Sequence, residues 1–116
     1  MERKMERADI AIIGTGPGGV SAALTAKVRN KNILLIGKKQ MSDKVSKAHQ
    51  IMNYPGLPAV TGADMAKAFE KQLAMMEIDI TDSRIGTVYA MGDYFAIQAG
   101  EEVLEAKSVI LACGVV

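Results

Sequence analysis

The sequence predicts an α/β fold, and three observations support this prediction. The apolar run Asp9-Ile-Ala-Ile-Ile13 leads into a glycine-rich turn and then into a helix-like segment, residues 18–29. A second apolar run, residues 32–36, completes a β-α-β unit of the usual length of roughly 30 residues. Toward the C-terminus, alternating apolar residues separated by short glycine-containing joints predict an antiparallel meander. We therefore expect a parallel sheet joined to a three-stranded meander.

The glycine-rich turn is Gly14-Thr-Gly16-Pro-Gly-Gly19. Gly14 permits a tight turn, Gly16 lets the backbone approach a pyrophosphate, and Gly19 lets the helix pack closely on the strand. The positive helix N-terminus then points at the phosphates, so no basic side chain is needed. In this context the pattern predicts a dinucleotide site, with a glycine turn that binds nothing as the alternative. The candidate binding residues of the turn are Gly14, Gly16, Pro17, Gly18 and Gly19.

A mononucleotide-binding P-loop fits the turn less well. That motif requires a lysine directly after its last glycine, and Val20 stands there instead. The phosphate-binding turn is therefore expected to serve a dinucleotide.

An irregular segment, residues 37–62, follows the β-α-β unit, and a second helix is predicted after it. This helix begins near Gly62 with Thr61 as its N-cap. Its buried face is expected to contain the four apolar residues that recur at helical spacing, namely Met65, Phe69, Leu73 and Met76.

The period of the apolar pattern changes to two from Ile78 onward, which predicts strands. Residues 78–81 are expected to form a short strand, and the meander is expected to contain residues 84–91, 94–99 and 102–106. Residues 108–112 are then predicted to return as a separate and continuously buried strand.

Composition narrows the classes of function. The chain has 116 residues, 14 basic and 13 acidic, so a single domain without a nucleic-acid partner is expected. No apolar run is long enough to span a bilayer, and the charged N-terminus lacks the apolar core of a signal peptide. We therefore expect no membrane partner and a cytoplasmic location. The single cysteine excludes an internal disulfide.

Three landmarks resemble one known family. They are the turn with its preceding strand, the loop Asn53-Tyr-Pro-Gly56 with the following Gly62, and the terminal run Val109-Ile-Leu-Ala-Cys-Gly114. In this order they resemble the N-terminal FAD-binding part of the pyridine nucleotide-disulfide oxidoreductases, and most closely the low-molecular-weight thioredoxin reductases. The resemblance implies a three-layer, Rossmann-type FAD/NAD(P)-binding domain over residues 8–116. Residues 1–7 are then a charged N-terminal tail.

The resemblance also implies what the chain lacks. Enzymes of the family continue into an NADPH-binding domain with a redox Cys-x-x-Cys and then complete the FAD domain. The chain is therefore expected to be an incomplete FAD-binding domain that is inactive by itself and contains no catalytic residue. In the complete protein, FAD would relay electrons between a reduced donor and a protein or small-molecule disulfide, with a thioredoxin-like protein as a candidate partner. A homo-oligomer is also expected.

The end of the second strand departs from the usual dinucleotide pattern. An acidic residue normally binds the adenosine ribose there, but this chain has Gly37 followed by Lys38 and Lys39. On residues alone, this end of the site favours an NADP-type ligand. The other two landmarks belong with FAD, so we expect FAD, its ribose held through backbone groups or by Lys38. A non-flavin NAD(P)-binding module and a non-catalytic domain are the alternatives.

On the flavin side, the resemblance implies three further candidates. Asn53 would form hydrogen bonds near the flavin, and Gly114 would allow close backbone approach. His49 could donate to the flavin ring or the pyrophosphate, or it could be an ordinary surface residue. Cys113 stands where the family usually has threonine, so it resembles a packing substitution rather than a redox centre.

Overall fold

A computed structural model describes residues 7–39 and 49–113. The described part contains two helices and six strands. They are β1 (Ala8–Ile13), α1 (Pro17–Val28), β2 (Ile33–Gly37), α2 (Gly62–Met75), β3 (Ile80–Asp82), β4 (Ile85–Ala90), β5 (Phe95–Ala99) and β6 (Glu102–Leu111).

The strands form one mixed sheet in the order β3-β2-β1-β6-β5-β4. Strands β1, β2 and β3 are parallel neighbours, and β6 runs parallel to β1 on the other side. Strands β4, β5 and the first half of β6 form the antiparallel meander. The predicted fold class, a parallel sheet with a three-stranded meander, is therefore confirmed.

Both helices pack on one face of the parallel strands. Because side chains alternate between the two faces of a strand, Ile12 of β1 and Leu35 of β2 point to the helices. There they join a buried cluster with residues of α1, α2 and the segment after α2, namely Val20, Ala23, Met65, Phe69, Leu73 and Ile78. This cluster fixes α1, and with it the glycine-rich turn, against the sheet.

The meander packs on the opposite face. Ala11 and Ile36 are fully buried there against Ile97 of β5 and Leu104 of β6. Two buried layers on either side of the parallel strands give the predicted three-layer arrangement.

The second helix begins as predicted. Thr61 is the N-cap, and its hydroxyl oxygen accepts a hydrogen bond of 3.1 Å from the backbone N–H of Asp64. Three of the four predicted core residues, Met65, Phe69 and Leu73, are buried in α2. The fourth, Met76, lies just beyond the end of the helix and is half-buried.

The C-terminal strand differs from the prediction in two respects. The structure has one continuous strand, β6, where we expected separate strands over residues 102–106 and 108–112. Pairing explains the continuity, because β6 leaves β5 near Ala106 and at that residue begins to pair with β1. The predicted continuous burial is also wrong, since Ile110 is 39% exposed and Leu111 is 71% exposed. Within the described residues, only β1 pairs with this second half of β6.

Polar contacts fix the start of β1. The Asp9 carboxylate accepts the backbone N–H of Asn32 at 2.8 Å and lies 3.6 Å from the ammonium of Lys107. The hydrogen bond from Asn32, assisted by the charge of Lys107, holds the pKa of the Asp9 carboxyl below its usual value. Arg7 donates to Glu105 at 2.8 Å and lies over the ring of Tyr94, so it links β1 to the meander.

The described residues contain neither a membrane-spanning helix nor a cluster of metal-ligating side chains. Neither helix is long and apolar enough to cross a membrane. The described side chains also include no group of three or more His, Cys, Asp or Glu residues arranged to hold a metal ion.

Candidate cofactor site

The glycine-rich turn is held between the ends of three strands. Gly14 has a φ of +123°, and its N–H donates to the carbonyl of Ile36 at 2.9 Å. A side chain at Gly14 would overlap the carbonyl oxygen of Ala112, directly after β6. A side chain at Gly19 would in turn overlap the carbonyl oxygen of Gly14. Only glycine fits at these two positions, because backbone atoms of the neighbouring segments occupy the space that a side chain would need.

Gly16 differs from Gly14 and Gly19 because its open side faces no protein atom. A Cβ atom there would have nothing within 4 Å, so the fold itself leaves this position free. Gly16 is also the N-cap of α1, with no side-chain cap and with Pro17 at the first helical position. The backbone N–H groups of Gly18 and Gly19 belong to the first turn and have no acceptor inside the helix. Gly16 therefore offers free space close to N–H groups that can donate hydrogen bonds, and a bound anion requires both.

An open cleft of about 880 Å³ lies beside this turn. It is formed at the carboxyl ends of the parallel strands, where ligands bind in open α/β sheets. The cleft also lies where the strand order of the sheet reverses. Strand β1 pairs with β2 on one side and with β6 on the other side. The residues lining the cleft come from β1, β2, the region after β3 and the C-terminal strand, namely Ile13, Gly14, Ile36, Gly37, Lys38, Asp82, Ser83, Arg84, Ile85 and Cys113.

The structure explains why the second strand ends in glycine. A Cβ atom at Gly37 would lie 2.7 Å from Cγ2 and 3.0 Å from Oγ1 of Thr15. The Thr15 hydroxyl donates a hydrogen bond of 2.7 Å to the carbonyl of Lys38, which fixes its rotamer. Thr15 therefore occupies the space that an acidic side chain at position 37 would need.

The predicted site residues fall into two groups. Gly14, Gly37 and Lys38 line the cleft, and Gly16 to Gly19 adjoin it through the turn. His49 and Asn53 are exposed and are not among the residues that line the cleft. Gly114 lies outside the described residues.

The loop that contains Asn53 is nevertheless ordered by its own contacts. Ile51 and Val60 form an isolated antiparallel bridge across its base, with an N–H to carbonyl distance of 2.7 Å. The ring of Tyr54 packs against Phe69 of α2 at a centroid distance of 5.5 Å. Asn53 is thus held at a defined place beside the helical layer.

Sequence reasoning missed four residues of the site. Thr15 controls the end of β2, and Asp82, Ser83 and Arg84 line the cleft from the end of β3. One signal could have found the last three, because the carboxyl end of a third parallel strand meets the same edge of the sheet. Cys113 also lines the cleft, with its thiol 3.9 Å from the carbonyl oxygen of Ile13.

The fold and this site are those of a Rossmann-type α/β domain. A glycine-rich turn between the first strand and its helix adjoins a cleft at the point where the sheet order reverses. Sequence comparison agrees with this class, since the profile of the pyridine nucleotide-disulphide oxidoreductases matches residues 8–116. The chain belongs to that family, as the three landmarks predict.

Solved structures place the chain near the thioredoxin reductases of this family. It is 45% identical to a ferredoxin-flavin thioredoxin reductase from Clostridium acetobutylicum, with a TM-score of 0.92 over 97% of this chain and 39% of that one. It is 29% identical to thioredoxin reductase from Streptococcus pyogenes, with a TM-score of 0.85 over 93% of this chain and 35% of that one.

A curated relative gives the same result. Thioredoxin reductase from Helicobacter pylori is 36% identical over 109 residues, which cover 91% of this chain and 35% of that protein. The chain spans about a third of the length of the curated relatives it matches, since it covers 37%, 34% and 34% of three further ones.

Proposed function

We propose that the chain is the FAD-binding portion of a flavin-dependent thioredoxin reductase. Residues 8–116 would form the first part of the FAD domain, with residues 1–7 as a tail before it. The observation that carries the proposal is the open position at Gly16, at the N-cap of α1 and beside helix N–H groups that have no acceptor inside the helix. A pyrophosphate needs such a place, where main-chain N–H groups can be approached without a side chain in the way.

The proposed contacts follow from where the residues lie. The residues of the turn, Gly14 to Gly19, would hold the pyrophosphate. Gly37 and Lys38 would lie at the adenosine end, because they line the cleft next to that turn. His49, Asn53 and Gly114 would serve the flavin side, as the family resemblance implies. FAD, when bound, supplies the relay of electrons between a reduced donor and a disulfide.

Titration with FAD tests this proposal, and Gly16→Val is the informative variant. The added Cβ atom has no protein atom within 4 Å, and the valine side chain would fill the space proposed for the pyrophosphate. We expect the unaltered chain to bind FAD, measured by flavin fluorescence and by a rise in Tm. Gly16→Val should keep its fold and bind FAD at least tenfold more weakly, roughly the cost of one lost ligand contact.

Gly86→Val is the matched control, because Gly86 is an exposed position in β4 that does not itself line the cleft, and a Cβ atom there makes only an ordinary contact. It should bind FAD like the unaltered chain. Equal FAD affinity of the two valine variants would contradict the assignment of the turn. A chain stabilised by NADPH and not by FAD would favour the alternative, a non-flavin NAD(P)-binding module.

The electron donor and acceptor belong to the longer enzyme that we propose. Several relatives are named thioredoxin reductases, so a thioredoxin disulfide is the proposed acceptor. The donor we propose is ferredoxin, since the two matched structures named ferredoxin-flavin thioredoxin reductases are 45% and 40% identical to the chain. Two matched structures named only thioredoxin reductases are 29% and 25% identical.

Steady-state kinetics of the longer enzyme would distinguish the two donors. We expect reduced ferredoxin to support reduction of thioredoxin and NADPH to support little or none. The chain of 116 residues should give no turnover with either donor, because its single thiol cannot form a redox disulfide by itself. Turnover of the longer enzyme with NADPH as fast as with ferredoxin would contradict the proposed donor.

A further inference from the structure

The end of β2 lacks the carboxylate that normally binds the adenosine ribose in a dinucleotide fold. The geometry at Thr15 shows that this is a property of the packing and not of Gly37 alone. A side chain at position 37 would meet Cγ2 of Thr15 at 2.7 Å. Thr15 could move aside only by rotating about χ1, which would break its 2.7 Å hydrogen bond to the carbonyl of Lys38. An acidic side chain at position 37 is therefore disfavoured as long as Thr15 keeps this hydrogen bond.

A carboxylate is present one strand further along the same edge. Asp82 ends β3 and is the direct partner of Gly37 in the parallel register of β2 and β3. Neighbouring strands lie about 4.8 Å apart, which is less than the length of a ribose with its hydroxyl groups. The N–H of Ser83 donates to the carbonyl of Gly37 at 3.3 Å and so ties the two strand ends together.

Asp82 also lines the same cleft as the glycine turn. Gly14, Gly37 and Lys38 line that cleft together with Asp82, Ser83 and Arg84. A dinucleotide with its pyrophosphate at the turn would extend its adenosine past Gly37 toward the end of β3. Asp82 is exposed, so its carboxylate can accept hydrogen bonds from a ligand without displacing a packed side chain.

We propose that Asp82 binds the 2′-hydroxyl of the adenosine ribose, in place of the carboxylate that position 37 lacks. This inference rests on the proposed binding of FAD and adds a specificity-determining residue to it. A carboxylate accepts hydrogen bonds from a hydroxyl but repels a phosphate. Asp82 would therefore direct the site toward FAD and against a 2′-phosphorylated nucleotide, although Lys38 and Arg84 lie in the same cleft.

Asp82→Asn tests this role through a chemical double-mutant cycle with ADP and 2′-deoxy-ADP as probes. The substitution keeps the shape of the side chain and removes its charge. In the unaltered chain, removal of the 2′-hydroxyl should weaken binding about tenfold, the usual scale of a charge-assisted hydrogen bond. In Asp82→Asn this ratio should fall severalfold, because the amide oxygen still accepts a hydrogen bond but without the charge of the carboxylate. A merely structural role would lower both affinities and leave their ratio unchanged.

Asp79→Asn is the matched control, since Asp79 is exposed just before β3 and does not line the cleft. It should retain the tenfold ratio of the unaltered chain. The assignment is overturned if Asp82→Asn also retains that ratio, or if adenosine 2′,5′-bisphosphate gains nothing relative to ADP in this variant. A chain that binds neither FAD nor ADP overturns the proposed function and this assignment together. Binding of both ligands without dependence on Asp82 overturns the assignment alone.

Discussion

Gly19→Ala is expected to destabilise the fold severely. The new Cβ atom would overlap the carbonyl oxygen of Gly14, and the backbone of the turn fixes the positions of both atoms. Neither can rotate away as a flexible side chain would. To separate them, α1 would have to move off β1 and expose the buried residues Val20 and Ala23. We expect a loss of at least about 3 kcal/mol in the free energy of unfolding, measured by urea denaturation.

Gly18→Ala is the control for this prediction because it makes the same change one residue earlier. A Cβ atom at Gly18 comes no closer than 3.9 Å to its nearest neighbour, the side chain of Ala112. Alanine also has a higher helix propensity than glycine, by up to about 1 kcal/mol. Gly18→Ala should therefore be neutral or slightly stabilising. Similar stability of the two variants would mean that α1 and the turn are less tightly packed than the structure has them.

Phe69→Ala is expected to give the second large effect. Phe69 is 4% exposed in the cluster between α2 and the sheet, and it also contacts Tyr54. Its removal should cost about 3–5 kcal/mol through lost burial and the cavity that remains. The loop around Asn53 should loosen as well, since Tyr54 loses its partner ring. Urea denaturation would measure the first effect, and hydrogen exchange of residues 51–57 the second.

Two other substitutions make this prediction specific. Phe69→Leu keeps most of the apolar volume and should cost less than half as much. Met75→Ala removes a large side chain from the same helix, but Met75 is 73% exposed and should cost at most about 0.5 kcal/mol. If Phe69→Ala proves as mild as Met75→Ala, the helical layer does not depend on this residue.

The sequence predicts the β-α-β unit and α2 well, because their signals are local. The apolar run before Gly14 and the spacing of Met65, Phe69 and Leu73 depend only on the period of each element. The N-cap at Thr61 is likewise decided within one helical turn, by the hydrogen bond between its side chain and the backbone of Asp64.

The errors on β6 arise from long-range pairing. Whether a strand continues past Ala106 depends on β1, which lies about one hundred residues earlier in the chain. The apolar residues Ile110 and Leu111 predict burial, yet actual burial depends on which strands and helices cover them. Periodicity within the strand carries no information about either neighbour.

The site was predictable only where a motif is contiguous. The glycines of the turn follow one another in the sequence, and their spacing carries the physical argument. By contrast, strand register and the distance between strand ends determine that Thr15 contacts Gly37 and that Gly37 pairs with Asp82. These pairs are separated by more than twenty residues, and no short pattern connects them.

The contact between Thr15 and Gly37 has a consequence for how this site could change in evolution. An acidic residue at position 37 would be harmful while Thr15 is present, because the two side chains claim the same space. Replacement of Thr15 by a smaller residue would have to come first, and it would release the carbonyl of Lys38 without any immediate gain. The ordinary ribose-binding pattern is therefore reached more easily by changes at both positions than by a change at position 37 alone.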